Sequence, residues 1–160
     1  MQLKQITKTS DVPRINCDCQ ECRTPCSHMP GYLSPEDLVN FTEDQLEASS
    51  GAVVIKDGER VELPTLVPKQ REDGTCIFLT DDGCSIHGWA PYGCRTFTVC
   101  NTWNDDAFER EVGLMEIYND KKENGPYSRT VEKLKNAGQN ARFLSERLTN
   151  FQNALMELER

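Results

Sequence analysis

Four thiols fall within ten residues of this chain, in the stretch CDCQECRTPC from Cys17 to Cys26, and no other feature restricts its folding as much. Asn16, Asp18, Pro25 and Pro30 punctuate the stretch, so it reads as loop with too few apolar residues to order itself. Something other than a hydrophobic core must hold it. Four further cysteines, Cys76, Cys84, Cys94 and Cys100, form a second group and bring the total to eight in 160 residues. The opening MQLKQITKTSDVPRIN has neither an apolar h-region nor a small-residue cleavage site, so the expected location is the cytoplasm. Thiols stay reduced there, and clustered cysteines serve as metal ligands or redox groups more often than as disulfides.

Composition narrows the partners. A length of 160 residues suits a single domain with a core of its own, and no apolar run approaches the ~18 residues of a membrane span. The formal net charge is -8, and the residues before Asp120 carry ten Lys or Arg against twenty Asp or Glu. A cysteine-bearing part that acidic repels phosphate backbones, and no Lys/Arg run interleaved with aromatics offsets it, which argues against nucleic acid.

The elements follow from local chemistry. Ser34 as N-cap, Pro35 at the first helical position and the acidic Glu36 and Asp37 predict a short helix from Pro35 to Phe41. Thr42 with Gln45 predicts a second short helix to about Ala48, stopped by SSG. AVVIKDGERVEL reads as a hairpin turning at Asp57 and Gly58. GTCIFLTDDGCSIHG reads as another, its turn at Asp82 and Gly83, with Cys76 and Cys84 brought close; Asp81 and Asp82 serve as turn residues, not as a catalytic pair. WAPYGCRTFTVC continues as a Pro/Gly loop carrying Cys94 and Cys100. A helix is expected from Ala107 to Lys121 with Phe108, Val112, Met115 and Tyr118 on one face. After KKENGPYS, the positions Leu134, Ala137, Ala141, Leu144, Leu148, Phe151, Leu155 and Leu158 form a heptad seam. That seam either docks on its own domain or pairs with a protein partner or second copy.

Thiolates are soft, strong ligands, and a zinc site or iron-sulfur cluster commonly takes four of them from two short segments. Cys17, Cys19, Cys22 and Cys26 supply one segment; Cys76, Cys84, Cys94 and Cys100 supply the other. Only Cys19 and Cys22 form a CxxC, and no glycine follows as in a zinc knuckle, so the short-gap thiols lean toward an iron-sulfur cluster over zinc. His28 and His87 are further nitrogen donors, with packing the favoured role of His87, and Arg95 either donates to sulfurs or carboxylates or forms a surface ion pair.

GTCIFLTDDGCSIHGWAPYGCRTF resembles the YkgJ-type cysteine-cluster family of CxxCxxCC-like, zinc- or iron-chelating domains. Cys76, Cys84, Pro91, Cys94 and Arg95 match its order, as do the early cysteines followed by SPEDL, so the resemblance covers Cys17 to Cys100. Many members carry an adjacent Cys-Cys pair where RTP here separates Cys22 from Cys26. The resemblance implies metal chelation and ranks Cys19, Cys22, Cys76, Cys84 and Cys94 ahead of Cys17, Cys26 and Cys100 as ligands.

The expected fold is therefore α+β: a small irregular metal-centred domain of short hairpins and helices over 1–104, with a helical extension over 105–160 packing on it. The expected function is metal binding through an iron-sulfur cluster or zinc. Two alternatives stand beside it: a cluster-dependent redox enzyme or accessory protein, and an interaction module using the C-terminal helix around a structural metal. No G-x-S-x-G, P-loop, G-x-G-x-x-G or H-E-x-x-H pattern is present.

Overall fold

Asp57 and Gly58 both adopt left-handed φ angles, 53° and 82°, as a two-residue type I′ turn requires. They join β1 (Leu46–Lys56) to β2 (Glu59–Pro68) in an antiparallel hairpin. The computed structural model describes residues 8–12, 30–96 and 106–141, with side chains of the segment after 105 described from Glu109 onward. The hairpin is longer than its apolar run suggested, because SSG does not end a helix but makes a bulge inside β1. The register shifts between Ser49 and Ala52, opposite Pro64, which has no N–H to give the ladder. Gly51 takes φ +71° there, and a Cβ on it would lie 1.9 Å from the Leu63 carbonyl oxygen.

Upstream, the Ser34 signal gives a 3-10 helix over Pro35–Asn40 closed by a capping box between Ser34 and Asp37. The Thr42 signal gives only Glu43–Gln45; Leu46 to Ala48, expected as helix, already belong to β1, where Leu46 and Ala48 turn inward. The second hairpin is β3 (Leu79–Thr80) and β4 (Gly83–Cys84), turning at Asp81 and Asp82. Its turn is thus one residue earlier than expected, since Gly83 at φ +109° pairs with Thr80. The loop expected around Cys94 instead contains a helical turn, α1 (Tyr92–Arg95).

Two helices follow, α2 (Asp106–Lys122) and α3 (Pro126–Asn136). Along α2 the buried stripe is Glu109, Val112, Gly113 and Ile117, while Met115 and Tyr118, expected on one face with Val112, are half-buried and the Phe108 side chain lies outside the described residues. The Asp120 carboxylate caps α3 by accepting the N–H groups of Tyr127 (3.2 Å) and Ser128 (2.8 Å). Gly138 at φ +76° ends α3, with the Gln139 N–H bonded to the Leu134 carbonyl at 2.8 Å. The seam read from Leu134 onward is therefore not one continuous helix: Ala137 is exposed, and the chain turns to pair with Ala48 through Gln139 and Ala141. Leu144, Leu148, Phe151, Leu155 and Leu158 lie outside the described residues.

Hairpin and helices share one core of Leu33, Leu46, Leu63, Leu66, Ile117, Tyr127, Val131 and Leu134. Each aliphatic side chain there gains roughly 1.5–3 kcal/mol by leaving water. The result is a small mixed α+β fold whose shared core cluster contains no cysteine among the described residues.

Candidate metal centre

Three of the eight cysteines lie within the described residues: Cys76 and Cys94 sit on short turns, and Cys84 on a two-residue strand. Cys76 opens a turn in which the Leu79 N–H bonds back to its carbonyl at 3.0 Å. Its sulfur accepts the N–H of Phe78, and the residue is 4% exposed. Arg71 braces this loop from outside: its guanidinium donates to Thr75 Oγ1 (3.2 Å) and to the carbonyls of Cys76 (2.8 Å), Ile77 (2.9 Å) and Leu79 (2.9 Å). Cys84, half-buried, ends β4 opposite Leu79. Aromatic rings of Phe41, Phe78 and Trp89 pack around these turns with centroids 5.4 to 6.5 Å apart.

Cys94 sits in α1, where two backbones cross. The Gly31 N–H donates to Cys94 Sγ at 3.0 Å, and the Gly93 N–H donates to the Tyr32 carbonyl at 2.9 Å. A Cβ on Gly31 would lie 2.3 Å from the Cys94 nitrogen, and one on Gly93 would lie 2.7 Å from the Tyr32 nitrogen. Only two glycines permit so close an approach. The segment leaving the first cysteine group is thereby fastened to the second group.

The electrostatics fit a cation. Burial pushes the Cys76 thiol up to about 11, and the neighbouring Cys84 adds to this while the Phe78 N–H and Arg71 oppose it. Burial also raises Cys94, with the Gly31 N–H opposing and Cys76, Cys84 and Asp37 adding. The other sulfurs thus lie within reach of Cys76 and Cys94, and burial favours the protonated form of these two thiols. A bound metal reverses the preference, because a coordinating thiol gives up its proton. Among the described residues no three His, Cys, Asp or Glu side chains are placed to hold a metal ion by themselves. His87 is half-buried on the turn His87–Trp89, and Arg95 donates to the Thr9 carbonyl at 3.0 Å and stacks over the Tyr92 ring at 5.0 Å. Cys17, Cys19, Cys22, Cys26, His28 and Cys100 lie outside the described residues.

A model of the CxxCxxCC family, whose description is "Putative zinc- or iron-chelating domain", matches residues 18–121. The chain belongs to this family. The match reaches beyond the Cys17–Cys100 stretch that carries the sequence resemblance and takes in nearly all of α2. Packing gives the reason: Gly113 of α2 comes so close to Tyr32 and Tyr92 that a Cβ on it would lie 2.5 Å from the Tyr32 hydroxyl oxygen. The helix therefore packs on Tyr92, in the same turn as Cys94. No curated protein and no solved structure matches the chain. Among the described residues no helix is long and apolar enough to cross a membrane.

Sequence reasoning missed the glycine crossing, Arg71 and Thr9. It gave Asp37 only a dipole role, although Asp37 also reaches Tyr92, 55 positions away. The spacing of Ser34 and Asp37 carried half of that signal, as a capping box with Asp in place of Glu.

Proposed function

We propose that this CxxCxxCC chain holds an iron-sulfur cluster through thiolates of both cysteine groups, in a reducing compartment such as the cytoplasm. Cys19, Cys22, Cys76, Cys84 and Cys94 are the leading ligands, with Cys17, Cys26 and Cys100 completing the set. The observation that carries the reading is the Gly31 N–H on Cys94 Sγ, at a crossing five residues after Cys26 in sequence. Backbone N–H donors on the sulfurs of Cys76 and Cys94 suit thiolates bound to metal, since such bonds stabilise sulfur charge and tune a cluster's potential. A sulfur-rich donor set suits iron-sulfur or zinc, and the two- and three-residue gaps among Cys19, Cys22 and Cys26 suit several irons held at one place. The residues thus fit the group; when bound, it would supply either electron transfer or a structural cross-link, and the protein's part is to bring the thiolates together and give them N–H donors.

Anaerobic purification is expected to yield a brown protein with broad absorption near ~400 nm and acid-labile sulfide, both lost in air. A colourless preparation with stoichiometric zinc and no sulfide overturns the iron-sulfur assignment in favour of a zinc module.

Stripping the metal is expected to loosen the cysteine loops while sparing the shared hydrophobic core, because that core contains no cysteine. Hydrogen exchange after EDTA treatment should show faster exchange over 69–96 and unchanged protection in β1, β2 and α3. Uniform collapse of protection would mean that the metal holds the whole fold.

A further inference from the structure

The turn that presents Cys94 has no cap of its own. Pro91 precedes it and offers no side-chain acceptor, so the first N–H of the turn, on the buried Tyr92, needs a partner from elsewhere. Asp37 supplies it. Its Oδ2 accepts the Tyr92 N–H at 2.8 Å and, at the same time, the Ser34 N–H at 2.9 Å. The residue is 7% exposed, and a buried carboxylate stays in such a place only when hydrogen bonds compensate it. Those two amides belong to the two backbones that cross at Gly31 and Gly93: Ser34 lies three residues after Gly31, and Tyr92 two before Cys94.

The far end of the same turn is held separately. Arg95 donates to the Thr9 carbonyl at 3.0 Å, Thr9 Oγ1 is 3.0 Å from Ser34 Oγ, and Glu116 accepts both the Thr9 N–H (2.6 Å) and its hydroxyl (3.0 Å). The turn is therefore pinned at both ends, and Asp37 joins both amides through a single oxygen atom.

We propose that Asp37 is a positioning residue of the metal centre: its buried carboxylate fixes the turn Tyr92–Arg95 against the Ser34 backbone and so sets where the Cys94 sulfur stands. It acts through Tyr92 and touches no sulfur in the described geometry. The proposal rests on Cys94 being a ligand, as read above.

The test is an EDTA titration of the full chain as purified anaerobically, with retained iron and zinc counted by elemental analysis, for wild type, Cys94→Ser, Asp37→Ala, Asp37→Asn and Asp37→Glu. Asp37→Ala should be stripped at about 10- to 100-fold lower EDTA, the usual size of an outer-shell effect on metal affinity. Asp37→Asn keeps an oxygen acceptor at the same place and should stay close to wild type, a rescue that a role for the charge alone would not give. Circular dichroism of each stripped variant reports its fold. If Asp37→Ala does not fold, Asp37→Glu carries the test: its extra methylene displaces the oxygen, and it should lose metal more readily than Asp37→Asn. A folded Asp37→Ala, or failing that Asp37→Glu, that retains metal like wild type overturns the proposal. The same series separates the two claims. Wild type without bound metal, or Cys94→Ser holding metal as tightly as wild type, defeats the reading of the centre itself, whereas loss in Cys94→Ser with retention in Asp37→Ala defeats only the role of Asp37.

Discussion

Gly31→Ala is expected to lower the stability of the chain by about 3 kcal/mol and to strip its metal, the joint effect of forcing apart two backbones. The added Cβ would lie 2.3 Å from the Cys94 nitrogen, 2.4 Å from the Gly93 carbonyl carbon and 2.8 Å from Gly93 Cα. All three are main-chain atoms, so no rotamer change relieves the contact. The φ of Gly31 is outside the left-handed region, so the cost is steric alone. Separation of the two segments would also break the Gly31 N–H bond to Cys94 Sγ and the Gly93 N–H bond to Tyr32. Urea denaturation paired with elemental analysis measures both consequences. A Gly31→Ala variant with an unchanged midpoint and full metal content would show that the two segments are not held in this crossing.

Tyr127→Phe should cost about 2–4 kcal/mol without any direct effect on the sulfurs. The Tyr127 hydroxyl donates to the Leu33 carbonyl at 2.6 Å and accepts the Leu66 N–H at 2.9 Å, and the residue is 1% exposed. Phenylalanine fills the same volume and leaves two buried backbone groups without that partner. Leu33 is two residues from Gly31, and its own N–H pairs with the Leu66 carbonyl at 2.8 Å, so the tyrosine stitches the strand leading from the crossing onto β2 and α3. Chemical denaturation of the metal-free chain gives the number directly. A change below about 0.5 kcal/mol, the size of an ordinary surface substitution, would contradict this accounting.

Wherever a few neighbouring residues settle the outcome, this sequence was decisive. Asp57 and Gly58 make a turn whose twist matches that of two adjoining strands, and Gly125 with Pro126 opens a helix where the pattern placed a break. The Ser34 cap and the thiol-rich composition are local in the same sense, and the latter carries the metal chemistry before any coordinate is known. Tertiary structure decided what depends on distant partners. SSG became a bulge because Pro64 faces it, and the helical seam from Leu134 broke at Gly138 because the following backbone found Ala48 to pair with. The helix α2 turned Ile117 inward because Gly113 lets it close on Tyr32 and Tyr92. Likewise Gly31 meets Gly93, and Asp37 meets Tyr92, through contacts that span more than fifty positions and obey no sequence period. Hydrophobic period and turn chemistry act over a few residues of chain, whereas the desolvation of a carboxylate or the contact radius of a backbone atom acts only on whatever the folded chain has brought beside it.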